Sequence, residues 1–561
     1  MKYRATAYCP LPTAHSRRAP SAVHRMWALS TLAGVLALAA GGVCQAHVAA
    51  PPPERPNIVF ILCDDLGYGD VRSNNPEGKI ATPSIDRLAA SGMRFTDAHG
   101  TSAVCTPTRY SVLTGRYNWR SRLQSGVLGG TSPRLIEPGR LTVAAMLRRQ
   151  GYHTACIGKW HLGMDWPRKP GCPAFDDNVE KGPEGWNIDF TKPIANGPNS
   201  VGFDYYFGIS ASLDMVPYTF IENDRVTAVP TVDKVFPMML GKPRALTRPG
   251  PGAAPFEAVD VLPTLTRKAV QYVAERAAAA RSGHPFFLYL PLNAPHTPIA
   301  PTPEWQGRSG LNPYGDFVME TDACVGQVLR ALDEQKLAGN TLVFFTSDNG
   351  CSPSADFPAL LAKGHNPSSI LRGSKADIWD GGHRVPFIVR WPGRVRPGSL
   401  SDQLVSLMDL TATCAEIVGV KLPDNAAEDS VSIRPALLGR ADKPLREALV
   451  CHSVFGKFCI RQGPWKLELC PGSGGWTAPV DRQAVKQGLP DIQLYDMTAD
   501  IRERRNLQAE HPEVVRRLTA LLEKYVAQGR STPGAPQKNA VAVDLWKDGK
   551  EARARKRPEG D

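Results

Sequence analysis

The sequence predicts an α/β fold: a large mixed, mostly parallel sheet sandwiched by helices, followed by a smaller C-terminal α+β domain. Three observations predict it. Continuous apolar runs of strand length recur along most of the chain, helical patterns lie between them, and near residue 445 the rhythm changes to short alternating runs. A strand that is apolar on both faces must be covered on both, as in a parallel sheet between helix layers.

In chain order, residues 1–46 read as a signal peptide, with Arg17, Arg18 and Arg25 as the charged part, 27–40 as the apolar part, and small residues before a cleavage point at Ala46. The apolar part is shorter than the roughly 20 residues a membrane span needs, and no other stretch is long and apolar enough. Export to the periplasm or beyond is therefore expected, with no stable membrane span. An Ala/Pro-rich linker follows at 47–56. The catalytic body is expected over 57–445. Its buried strands are 57–63 (NIVFILC), 286–290 (FFLYL), 341–345 (TLVFF) and 385–389 (VPFIV). Helices are expected at 83–91, capped by Ser84, and at 141–150, 258–280 and 314–337. Residues 446–530 are expected to form the C-terminal domain, with a four-stranded antiparallel sheet and an amphipathic helix over 512–528. A mobile tail is expected at 531–561.

The formal charge of +12 invites a nucleic-acid reading, but its distribution opposes one. The first 46 residues hold five basic groups and no acid, so +7 remains on the large mature chain. A second basic cluster, 553–557, lies in the polar tail beside acids. Of twelve cysteines, Cys9 and Cys44 leave with the signal. Export permits disulfides, and Cys451, Cys459 and Cys470 are close enough in sequence to supply one, with connectivity open.

Two pairs of oxygen-bearing residues sit at expected strand ends: Asp64-Asp65 after the first strand and Asp348-Asn349 after 341–345. Ligands of open α/β sheets bind beyond the carboxyl ends of the strands. Four such oxygens could share one hard cation, Ca²⁺ or Mg²⁺ rather than zinc. Taken singly, each pair is equally compatible with a turn before Gly67 or at Gly350. Arg109 lies four residues after Cys105, so a helix starting there would put both on one face.

The segment Cys105-Thr106-Pro107-Thr108-Arg109, with Thr114-Gly115 five residues on, resembles the signature of the type I, formylglycine-dependent sulfatases of the alkaline phosphatase superfamily. Further blocks resemble that family in the expected order: Asp64-Asp65-Leu66-Gly67, Gly158-Lys159-Trp160-His161, Ala294-Pro295-His296, Ser347-Asp348-Asn349-Gly350, Arg372-Gly373-Ser374-Lys375 and Gln493-Leu494-Tyr495-Asp496. The resemblance covers about 57–530 and implies an alkaline-phosphatase-like fold and an arylsulfatase-like hydrolase of organic sulfate esters. It implies that Cys105 is oxidised to formylglycine by a formylglycine-generating enzyme or equivalent. It also implies that Asp64, Asp65, Cys105, Asp348 and Asn349 surround a Ca²⁺ or Mg²⁺ ion.

An aldehyde at 105 hydrates to a diol. One hydroxyl, acidified by the cation, attacks sulfur, and the second provides a route to expel sulfate that a serine lacks. The resemblance gives His161 the role of base and Arg109 that of orienting the diol. Lys159 and Lys375 would bind sulfate oxygens, with His296 and Lys375 protonating the leaving oxygen. His365 is a further substrate-binding candidate; Asp214 and His383 are weaker ones. The rivals are a phosphonate or phosphate ester hydrolase of the same superfamily and an inactive protein that binds sulfated glycans. The partner implied is a sulfated small molecule or glycan, not nucleic acid.

Overall fold

The structure, a computed structural model, describes residues 55–177 and 182–547. The expected signal peptide and most of the linker lie outside the described residues, as does the tail beyond 547. Among the described residues, no helix is long and apolar enough to cross a membrane.

A ten-stranded sheet organises the body. From edge to edge its strands are Ser399–Ser401, Met93–Phe95, Phe387–Arg390, Thr341–Ser347, Asn57–Asp64, Phe286–Pro295, His153–Lys159, Tyr205–Ile209, Ile221–Glu222 and Arg225–Val226. The five central strands from Thr341–Ser347 to Tyr205–Ile209 are parallel, and the flanking Phe387–Arg390 and Ile221–Glu222 pair antiparallel to them. The sheet is thus mixed and mostly parallel at its centre, as expected.

The run at 57–63 shows why this strand is apolar throughout. Val59, Ile61 and Cys63 enter one hydrophobic core, and Ile58, Phe60 and Leu62 enter another on the opposite face. Each fully buried Ile, Leu or Phe contributes about 1.5–3 kcal/mol. The helices Val261–Arg281 and Pro313–Glu334 cover the first face. Val143–Arg149, Leu410–Val418 and the apolar residues Tyr110, Val112 and Leu113 of Cys105–Thr114 cover the second.

The helix Pro83–Ala90 is capped differently from expectation. Its first free amides, Ser84 N and Ile85 N, donate to the Asp322 carboxylate at 2.8–3.0 Å. The cap therefore comes from a different helix, a contact sequence spacing cannot show.

The second sheet, Leu449–His452, Phe458–Gln462, Trp465–Glu468 and Gln493–Asp496, is antiparallel throughout. The helix Pro512–Gln528 packs on it through Val514, Leu518, Leu521, Leu522 and Tyr525. This core also takes in Tyr117, Trp119 and Trp379 from the body. The expected mobile tail is corrected for 531–547: Thr532 Oγ1 donates to Glu428 O at 2.7 Å and Ala540 N to Arg120 O at 2.7 Å. These bonds lay the segment along the body.

Candidate active site

The carboxyl ends of all five parallel strands converge on one place. Asp64 closes its strand and Asp65 follows it; Asp348 and Asn349 follow Ser347; His296 follows Pro295; Lys159 ends its strand, with His161 two residues on; Ser212 lies three residues beyond Ile209. Lys159 reaches its place because Gly158, at φ +141°, lets the strand pass the Pro291 carbonyl. A Cβ there would meet that oxygen at 1.9 Å. Asp65 and His161 have φ of 65° and 55°, a left-handed conformation that costs ordinary residues about 1–3 kcal/mol and persists where the surroundings impose it.

The helix Cys105–Thr114 brings the sixth element. It is buried along its whole length and ends at Gly115, whose φ of 65° supplies the left-handed terminus. As spacing predicted, Cys105 and Arg109 share the face toward the strand ends. Arg109 Nε donates to Asp348 Oδ2 at 2.9 Å, its Nη2 lies 2.7 Å from the same oxygen and 3.7 Å from Asp64 Oδ1, and its Nη1 donates to Lys159 O at 3.1 Å. One oxygen each from Asp64 and Asp348 and the Cys105 sulfur lie within 4.8 Å of one another.

Two lysines complete the ring. Lys159 Nζ donates to Asp64 Oδ2 at 2.5 Å and to Ser212 Oγ at 2.6 Å. Lys375 Nζ lies 2.7–2.8 Å from both Asp65 oxygens, and its loop is fixed by Lys375 N to Cys351 O and Ala376 N to Ala103 O. Burial and the Asp64 charge push the Asp348 carboxyl up, whereas at Asp64 burial is outweighed by Lys159, His296, Arg109 and Lys375, which hold it far below the usual range. Burial opposes the charge on Lys375, yet Asp65 and its neighbours raise its pKa.

The oxygens fit a hard divalent cation. Asp64 Oδ1 and Asn349 Oδ1 are buried and accept no hydrogen bond, while Asn349 Nδ2 donates to Asp65 Oδ1 at 2.7 Å and so turns its oxygen free. Unsatisfied buried acceptors are costly, and donors that are all oxygen favour Ca²⁺ or Mg²⁺.

The two histidines differ. His161 Nε2 meets the Leu128 carbonyl at 2.7 Å; a carbonyl only accepts, so Nε2 carries the hydrogen and the buried, unpartnered Nδ1 holds the lone pair. Burial and then Lys159 keep this ring neutral, with its pKa well below the ordinary value. His296 is 8 % exposed, against 0 % for His161. Its Nδ1 donates to the Thr297 carbonyl at 2.7 Å, and its Nε2 stands 3.7 Å from Asp65 Oδ2.

The family model for sulfatases matches residues 56–420. An N-acetylgalactosamine-6-O-sulfatase of Bacteroides thetaiotaomicron is 35 % identical, over 84 % of this chain and 93 % of the relative. Human arylsulfatase A is 33 % identical, over 87 % and 89 %. The chain belongs to the sulfatase family. Among solved structures, the "6S-sulf" protein of a B. thetaiotaomicron glycosaminoglycan-metabolism locus superposes with a TM-score of 0.71 at 33 % identity, covering 84 % of this chain and 99 % of that one. The fold is the alkaline-phosphatase-like fold of the sulfatases, and the chemistry is hydrolysis of a sulfate ester.

Within this sulfatase, the structure brings together Cys105, Arg109, Lys159, His161, His296, Lys375, Asp64, Asp65, Asp348 and Asn349. His365 requires correction. It is 1 % exposed; its Nε2 contacts Asp70 Oδ1 at 2.8 Å and its Nδ1 accepts from Lys79 N at 3.2 Å. Both ring nitrogens are engaged, which leaves none for substrate. Asp214 pairs with Arg248 at 2.7 Å, and His383 belongs to a separate cluster around His99. Ser212 was missed by sequence reasoning: its only signal is its place just beyond the carboxyl end of Tyr205–Ile209.

Proposed function

We propose that this sulfatase removes sulfate from a sulfated carbohydrate, with Cys105 oxidised to formylglycine and Ca²⁺, or Mg²⁺, held by Asp64, Asp65, Asp348 and Asn349. The single observation behind the reading is the set of oxygens from two strand ends gathered around the Cys105 position, with Arg109 and two lysines on them. The carbohydrate assignment is supported by the B. thetaiotaomicron relative named for an N-acetylgalactosamine sulfate. The apolar stretch at 27–40 supports export to the periplasm or outside the cell, where sulfated glycans are met.

When present, the cation and the hydrated aldehyde supply an acidified hydroxyl for attack on sulfur and positive charge for the sulfate oxygens. The chain's own residues do the rest. Arg109 fixes the residue-105 side chain against Asp348. Lys159, on Asp64, and Lys375, on Asp65, bind the anionic oxygens, most tightly where charge builds in the transition state. His161 Nδ1 takes a proton from the residue-105 side chain so that sulfate can leave. His296, at the more open rim, acts as the imidazolium: with Nδ1–H held by the Thr297 carbonyl, it gives its Nε2 proton to the departing alcohol oxygen.

The test joins two measurements on the exported protein. Mass spectrometry of the peptide containing residue 105 should show the aldehyde, and calcium-loaded protein should release sulfate from sugar sulfates and from an aryl sulfate. Aldehyde-bearing, calcium-loaded protein that cleaves no sugar sulfate across a glycosaminoglycan and algal panel defeats the carbohydrate assignment. A residue 105 found wholly as thiol in active protein defeats the formylglycine assignment.

A further inference from the structure

A second group of metal-ligand side chains lies behind the helix that bears Cys105, where the body meets the C-terminal sheet. His99, His383 and Cys451 are all buried, and a ring nitrogen of each histidine and the Cys451 sulfur lie within 4.8 Å of one another. The backbone sets this arrangement: Gly100 N donates to His383 O at 2.8 Å, and His452 N to Thr101 O at 3.2 Å.

The outward nitrogens fix the rings. His383 Nε2 meets the Ile378 carbonyl at 2.9 Å, and His99 Nε2 meets Asp97 Oδ1 at 2.9 Å. Both partners are acceptors; Asp97 is itself ion-paired with Arg461 at 2.8 Å and Arg384 at 3.5 Å. Each Nε2 therefore carries the hydrogen, and in neutral rings both Nδ1 atoms carry lone pairs. Those Nδ1 atoms face each other at 3.0 Å. Two lone pairs at that distance repel unless a positive charge lies against them. Nitrogens bound to one tetrahedral zinc at about 2.0–2.1 Å stand about 3.3 Å apart, close to this spacing. A metal-bound histidine also ordinarily donates its other N–H to a carboxylate or carbonyl, as both do here.

We infer that His99, His383 and Cys451 supply three ligands to a site for a borderline-soft divalent ion, zinc, distinct from the oxygen-lined centre. Two imidazoles and a thiolate suit zinc, whereas carboxylate oxygens suit calcium. On binding, the Cys451 thiol loses its proton to solvent, and the ion clamps the C-terminal sheet to the loop that enters the Cys105 helix. The rival for Cys451 is Cys459, directly opposite it in the ladder and free in this structure.

The test uses the full-length exported protein, purified without chelator, and does not read activity. Elemental analysis should find zinc equimolar with the chain, in addition to any calcium. After zinc removal, Co²⁺ should give thiolate-to-cobalt charge-transfer absorption in the near ultraviolet. Cys451→Ser should lose that absorption and bind zinc at least about tenfold more weakly, with unchanged circular dichroism. Folded wild-type protein with neither zinc nor the cobalt absorption overturns the inference, as does a peptide pair cross-linked through Cys451 and Cys459. Because the cobalt spectrum is read on the wild type, the result stands even if the variant fails to fold.

Discussion

At the residue scale, the site works by making each polar atom's partner leave one atom over for chemistry. His161 gives its Nε2 hydrogen to Leu128 and keeps Nδ1 open. We expect His161→Ala to lower kcat about 10²–10⁴-fold, with a stopped-flow burst of alcohol equal to the enzyme present, followed by slow turnover. A variant that slows the burst as much as the steady state removes His161 from sulfate release. Cys105→Ala should cost at least about 10³-fold in kcat with an unchanged circular dichroism spectrum, because it removes the nucleophile's only precursor. Residual sulfate release near the wild-type rate places the nucleophile elsewhere.

Elements are also tied to one another by buried charge. Arg120 and Asp429 form a two-pronged pair, both bonds at 2.9 Å, and Arg120 Nη1 also donates to Tyr525 O and Asn539 Oδ1. One guanidinium thus ties the body to the C-terminal helix and to the segment after it. Asp429→Ala leaves that cation buried without its partner and should cost about 3–5 kcal/mol in urea unfolding; a loss below about 1 kcal/mol refutes the coupling.

His452 sits on a similar seam, with Nε2 at 2.7 Å from Asn118 Oδ1 and Nδ1 at 2.8 Å from the Ser453 carbonyl. Burial outweighs the Ser453 carbonyl contact, which favours the charged ring, and lowers its pKa from 6.5 to about 4. Between these values the unfolded chain binds the proton and the folded one does not, so stability falls as pH drops. The contribution is complete above about pH 6.5 and is lost by about pH 4, amounting to at most about 3 kcal/mol. Thermal melts of wild type and His452→Gln across this range should differ in slope, and parallel curves remove His452 as the cause.

For the whole molecule, the proposed cation would couple the centre to global stability. Three buried aspartates crowd one point, and an ion bound only by the folded state raises its stability by about 2.7 kcal/mol at a hundred times its Kd. Calcium added after chelation should therefore raise Tm, and Asp348→Ala should abolish the rise. An unchanged Tm in saturating calcium and in saturating magnesium shows that these oxygens hold no such ion.

How much of this was legible follows the range of the interactions. Strands such as 57–63 announced themselves because both their faces are buried, and Cys105 with Arg109 because the motif that resembles the sulfatase signature is one short local run. The cap from Asp322, the packed segment 531–547, Ser212 at Lys159 and the capture of His365 by Asp70 depend on residues far apart in the chain. No short-range pattern encodes them. The sequence by itself determined the α/β architecture and the helix carrying Cys105 and Arg109, and it placed Asp64-Asp65 and Asp348-Asn349 at strand ends, since periodicity and side-chain chemistry are properties of neighbouring residues. Only the tertiary structure decided which histidine nitrogen stays open, which polar residues are consumed as struts, and where His99 meets Cys451. Those depend on distances across the sheet and between domains, which packing sets.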